Sequence, residues 1–163
     1  MYKQDSRIPG LTISFLADYP HYLDALASWS FTEWGHYFPN ETLMDVVHDY
    51  QNYLAKDQIP FAIVAHKDHQ AIGTACIFNN DSLPGFDHLT PWLGAVYVIE
   101  EYRRQGIGQT LVGRIVDEAK RLGNSKIYLW TGSEARWYQK QGWGLIAATM
   151  FFNQHIDVME LDI

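Results

Sequence analysis

The feature that most constrains this chain is an apolar run that passes through a charged, glycine-containing turn into an amphipathic helix. Residues 93–99 read LGAVYVI, and a strand that is apolar on both of its faces has to be buried between two layers. Beyond the turn, Ile107, Leu111, Ile115, Ala119 and Leu122 recur at helical spacing over residues 107–122, and Gly123 ends the pattern. Residues 126–131 (KIYLWT) read as another strand. A strand–helix–strand unit of this length implies a right-handed parallel crossover. Sheets built this way take their ligands at the carboxyl ends of their strands, which points to the turn after Ile99.

That turn, residues 100–108, reads EEYRRQGIG. Glycines there let the backbone turn tightly and approach a ligand. The free N–H groups and dipole of the helix that follows favour a phosphate, and Arg103 and Arg104 add positive charge. A phosphate loop of the G-K-S/T type is absent. A dinucleotide loop would need a third glycine where Leu111 stands. The charge pattern agrees: the net charge is −7, but residues 1–102 carry a balance of −9 and residues 103–140 one of +5. A basic segment in an acidic chain suggests an anionic ligand, although a solvated basic helix face gives the same pattern. The acidic total argues against nucleic acid as a partner.

The remaining periodicities describe one domain spanning residues 1–163. Residues 11–18 read as a first strand and 19–31 as a helix carrying Tyr22, Leu23, Leu26, Ala27 and Trp29. Asn40 is placed to cap a second helix with Leu43, Val46, Val47, Tyr50 and Leu54 on its inner face. Residues 61–66 and 71–78 form a hairpin around residues 67–70. Residues 134–141 form a short helix closed by Gly142, and residues 144–152 and 157–161 two last strands. The single cysteine, Cys76, lies in an apolar run and reads as a buried thiol. The 7 histidines show no H-x-x-x-H or H-E-x-x-H pair, so no metal is expected. Without an apolar leader or a stretch of roughly 18 apolar residues, a cytoplasmic protein with no membrane partner is expected.

Arg103-Arg104-Gln105-Gly106-Ile107-Gly108 resembles the R/Q-x-x-G-x-G/A pyrophosphate loop of the GNAT (GCN5-related N-acetyltransferase) superfamily. The resemblance runs back through residues 93–98, and to Pro91-Trp92 before them, and forward through the helix. It implies an α/β fold with a central mixed, mostly antiparallel sheet of about seven strands flanked by about four helices. It implies acetyl-CoA as cosubstrate, its pyrophosphate held by Arg103, Arg104, Gln105, Gly106, Ile107, Gly108 and Gln109. Tyr97 and Val98, on a bulged and splayed strand, would pair with the pantetheine, and the Val98 N–H would polarise the acetyl carbonyl. Residues 134–143 resemble the family's second signature, A-x-x-Y-x-K-x-G-F/W, through Ala135, Tyr138, Lys140, Gly142 and Trp143. Tyr138 would then protonate the departing thiolate. Relatives place an Asn before this helix. Here the segment is Thr131-Gly132-Ser133, so Thr131 or Ser133 would have to supply that contact.

An alkylammonium, with a pKa of roughly 10.4, must lose a proton before it attacks. Glu33, His36 and Glu100 are candidates for that step, Glu33 foremost. The aromatic connection 29–39 suits a cationic amine, with Trp34, His36 and Trp92 as expected acceptor contacts and Trp29 and Phe31 as packing. A second wall, residues 79–91, holds Asp81, Asp87 and His88. The surplus of acids over residues 1–102 points to a small cationic acceptor. An acceptor amine on a protein or peptide, and a non-catalytic acyl-CoA sensor or partner-docking module, are the alternatives. A homodimer is a further implication of the resemblance.

Overall fold

The computed structural model describes residues 8–163. The first seven residues, part of the single expected domain and of the segment read as lacking a leader, lie outside it. Among the described residues the strands are β1 (Thr12–Phe15), β2 (Phe61–Lys67), β3 (Gln70–Phe78), β4 (Trp92–Val98), β5 (Lys126–Thr131), β6 (Gly144–Phe151) and β7 (Gln154–Asp162). The α-helices are α1 (Leu23–Trp34), α2 (Leu43–Gln51), α3 (Ile107–Arg121) and α4 (Ala135–Gln139). The strands form one sheet in the order β1-β2-β3-β4-β5-β7-β6. Every neighbouring pair is antiparallel except β4–β5, which is parallel, as the crossover pattern requires.

The alternation of side chains along β2 explains why its sequence is apolar throughout. Phe61, Ile63 and Ala65 enter a core with Ile107, Leu111, Ile115 and Ala119 of α3, while Ala62 and Val64 enter a second core with Leu26 and Ala27 of α1 and Val46 and Tyr50 of α2. A central strand with helices on both faces has no polar side. The β2–β3 hairpin turns through Asp68 and His69, at φ 49° and 63°. Two consecutive left-handed residues match the twist of the flanking strands.

Several boundaries differ from those read in the sequence. β1 stops at Phe15 because residues 16–18 and 20–22 form two short 3-10 turns, and α1 follows directly on the second, which Pro20 opens with its fixed φ. The cap of α2 is Thr42 rather than Asn40: its hydroxyl accepts from the Asp45 N–H at 3.3 Å, and the Asp45 carboxylate accepts from the Thr42 N–H at 2.7 Å. This reciprocal pair satisfies two otherwise orphaned donors. Leu43 and Leu54 are exposed rather than inward-facing. β7 begins at Gln154, three residues earlier than expected, because Phe152 and Asn153 make a left-handed turn without glycine.

Candidate active site

β4 and β5 run side by side only at their beginnings. Trp92 pairs with Tyr128, and past that point the two strands diverge. The cause lies in β4. Between its pairs Thr74–Tyr97 and Cys76–Gly94 it carries one residue more than β3, and Ala95 takes φ 52°. Such a bulge bends the strand and frees its backbone from the neighbour. Gly94 lets the bend occur, since a Cβ there would collide with the Phe78 ring. Past the bulge, the Ile99 N–H bonds the Ile72 carbonyl at 3.0 Å. Antiparallel alternation then turns the Val98 backbone away from β3, toward the gap. The Val98 carbonyl accepts from Arg103 Nε at 2.8 Å, which leaves its N–H facing the opening.

This gap is part of a cleft of about 1150 Å³, at the upper end for ligand pockets. At one end stands the N-terminus of α3. Gly106 precedes it at φ 84°, with open space where a side chain would be, so the backbone is left uncovered. Helix geometry leaves the amides of the first turn without intrahelical acceptors. Arg103, Arg104 and Gly108 line the cleft, and the Arg103 guanidinium lies over the Tyr97 ring at 5.4 Å. Ile107 is buried in the core, and the exposed Gln105 side chain bonds the Glu101 carbonyl. Gln105, Gly106, Ile107 and Gln109 are not among the cleft-lining side chains, so a ligand there would meet them through their backbone. Three other cations of the basic segment are engaged internally: Arg114 and Arg121 flank the buried Glu118, and Lys126 pairs with Glu160 and Asp162.

α4 contributes Tyr138, which is buried yet borders the cleft, its ring edge-on to Trp137 and Trp143. Burial, reinforced by the nearby Glu134 charge, holds its phenol pKa well above the ordinary tyrosine value. The phenol is therefore a proton donor at any physiological pH. Thr131 and Ser133 also border the cleft. The Thr131 hydroxyl already accepts from the Glu134 N–H at 3.0 Å, steadying the start of α4, and Ser133 bonds the Glu134 carboxylate at 3.2 Å. Gly132 between them has no room for a Cβ against the Tyr37 hydroxyl.

The far wall is acidic and aromatic. Glu33, Trp34 and His36 all border the cleft, with Glu33 and His36 exposed and Trp34 edge-on to Tyr97. Glu100 lies outside it. Trp92 is a correction: it is 1% exposed, its indole N–H bonds the Leu89 carbonyl at 2.7 Å, and it packs against Tyr128 away from the cleft. It is a core residue, because the first residue of β4 points into the layer beneath the 79–91 loop. Cys76 is fully buried, its thiol pushed up to about 12 by burial, which leaves it unreactive.

Glu41, Asp49, Tyr53, Asp81 and Trp130 also border the cleft. Of these only Asp81, in the 79–91 loop, stands out in the sequence. The charges of Asp49, Asp81 and Glu41 all bear on Tyr53, so the three carboxylates gather around one ring. Burial raises the pKa values of both Glu41 and Asp49, with repulsion from Asp49 and Asp45 adding to the first and from Asp45 to the second. The signal was available: Asp45 and Asp49 stand four residues apart on α2, an unfavourable like-charge pair, and Glu41 just precedes its cap.

Among curated proteins none matches this chain. Solved structures share its fold. The Salmonella typhimurium protein yncA, solved with its cofactor acetyl-CoA, is 19% identical over 94% of both chains, with a TM-score of 0.68. An aminoglycoside 6'-N-acetyltransferase complexed with coenzyme A is 16% identical over 93% of this chain and 96% of its own, at 0.73. The aminoglycoside 6'-N-acetyltransferase of Enterococcus faecium is 17% identical, with the same coverage, at 0.68. A sequence model of the acetyltransferase (GNAT) family matches residues 23–143, from the start of α1 to the turn after α4, and the chain belongs to that family.

Proposed function

We propose that this protein is an N-acetyltransferase that moves the acetyl group of acetyl-CoA to a primary amine on a small cationic molecule, by direct attack in a ternary complex. One observation carries the reading: a single cleft joins an uncovered helix N-terminus and a splayed strand to a wall of carboxylates and aromatic rings.

The residues fit acetyl-CoA. Its pyrophosphate suits the first-turn amides of α3, with Arg104 beside them. Its pantetheine suits the backbone of β4 past the bulge, where an extended chain can add as a strand. Acetyl-CoA supplies an activated acyl group on a thiol leaving group. The protein supplies the Val98 N–H, turned toward the gap to polarise a carbonyl, and the Tyr138 phenol, held protonated to neutralise a departing sulfur. Cys76 takes no part, so no acyl-enzyme is expected. The acidic wall favours a cation, and Trp34 and Trp130 offer ring faces to it. Three of the structural neighbours are named for aminoglycosides, which are polycationic amines.

The test is acetyl transfer to a panel of polyamines, aminoglycosides, amino acids and neutral or acidic amines, read as acetylated product by mass. Cationic acceptors should lead. A panel headed by neutral or acidic acceptors would refute the cationic assignment.

A further inference from the structure

The site described so far has a proton donor for the leaving sulfur but no group to receive the proton that the acceptor must lose. Glu33 and His36 stand in the solvent-exposed part of the wall, where water competes for the ammonium. Glu100 lies outside the cleft. Asp81 differs from all three. It lies just past the end of β3, half-enclosed in the cleft wall. Among the described residues no cation pairs with it.

The groups facing Asp81 come from every element packed around it. Cys76 of β3 and Tyr53 beyond α2 feel its charge and offer no positive one. Glu41 and Asp49 approach through Tyr53 and are negative. Asn80 and Asp87, in its own loop, bond each other at 3.4 Å. The Trp130 indole N–H of β5 is the one nearby donor that favours the charged carboxylate. That N–H is itself buried and lies near the Asp81 carboxylate without a partner at full hydrogen-bond geometry. A lone carboxylate and a lone donor thus face the same wall of the cleft that is open to an amine.

We propose that Asp81 is the general base of the transfer, receiving a proton from the acceptor's ammonium. The inference rests on the acetyltransferase reading of the cleft. The ammonium N–H bond breaks and its proton passes to an Asp81 carboxylate oxygen. The freed nitrogen lone pair forms the C–N bond to the acetyl carbon as the C–S bond breaks; the sulfur takes its proton from Tyr138, and the second proton, lost by the acetylated nitrogen, restores the Tyr138 phenol. Burial lifts the Asp81 pKa to about 7, opposed only by the Trp130 N–H. A base with a pKa near the working pH combines an ionised fraction with real basicity.

The experiment measures kcat/KM for a cationic amine from about pH 5 to about pH 10 in the wild type, Asp81→Asn and Asp68→Asn, an exposed carboxylate in the β2–β3 turn outside the cleft, with acetyl-CoA affinity as the check on folding. The wild type should show an acid limb with its midpoint near 7. Asp81→Asn should fall about 100-fold or more at neutral pH, and its rate should climb toward the amine's own pKa of roughly 10.4, because only free amine then reacts. Asp68→Asn should follow the wild type. An Asp81→Asn enzyme that keeps the limb, or stays within about threefold of wild type, overturns the proposal and leaves the acetyltransferase reading standing. A wild type that acetylates no amine refutes that reading, and the role of Asp81 with it. If Asp81→Asn fails to bind acetyl-CoA, Asp81→Glu decides: a displaced midpoint supports the proposal and an unchanged one overturns it.

Discussion

Tyr138 and Asp81 are a phenol and a carboxyl on the wall of one cleft, and burial moves both pKa values upward. The consequences differ. In the proposed transfer Tyr138 acts protonated, so its raised pKa would extend its useful range, and kcat should show no alkaline loss as pH passes about 10, the ordinary tyrosine value. Tyr138→Phe should lower kcat by about 10- to 100-fold and leave the acetyl-CoA Kd within about threefold, read by steady-state kinetics and calorimetry. Asp81 binds its proton more tightly in the folded protein than in the unfolded chain, whose ordinary value is 3.8. Its contribution to stability is therefore complete below about 4 and is lost as pH rises to about 7. Asp81→Asn should raise the Tm at pH 8 and change it little at pH 4, a comparison that thermal melts settle without any substrate. Tyr138 was legible in the sequence because a motif surrounds it. Asp81 was legible only as one polar residue of a loop, because its surroundings come from β3, β5 and the end of α2.

At the scale of elements, the strand–turn–helix of residues 93–122 was readable from its pattern alone, since a buried strand and an amphipathic helix have unmistakable periods. The expected bulge is centred on Ala95, whose left-handed φ no sequence rule assigns to alanine. Trp92 was misplaced for a related reason: alternation tells that neighbours face opposite sides of a sheet, but not which side holds the cleft. The cap of α2 was misread by two residues because Asn40 and Thr42 are both good caps, and only the Thr42–Asp45 reciprocity distinguishes them. Thr42→Ala should cost about 1 kcal/mol of unfolding free energy, measurable by urea denaturation. Gly94→Ala should cost about 1–3 kcal/mol, because the Phe78 ring must move, and should weaken acetyl-CoA binding by disturbing the bend in β4.

Over the whole molecule, charge sorts along one cleft. The +5 balance of residues 103–140 shrinks at the site to Arg103 and Arg104, since Arg114, Arg121 and Lys126 are spent on internal ion pairs and Lys120, Arg136 and Lys140 are exposed outside the cleft lining. The acid surplus of residues 1–102 instead concentrates there, as Glu33, Glu41, Asp49 and Asp81. The sum of charges suggested this polarity, but only the fold shows which cations are neutralised and which carboxylates converge. The anionic half of acetyl-CoA and a cationic acceptor would thus enter opposite fields, and the KM for a cationic amine should rise with ionic strength. The most direct measurement of the central claim follows free CoA and acetylated product together when the protein meets acetyl-CoA and cationic amines. The account predicts amine-dependent release of CoA matched one to one by acetylated amine. Failure to bind acetyl-CoA, or binding with no product from any amine, would contradict it.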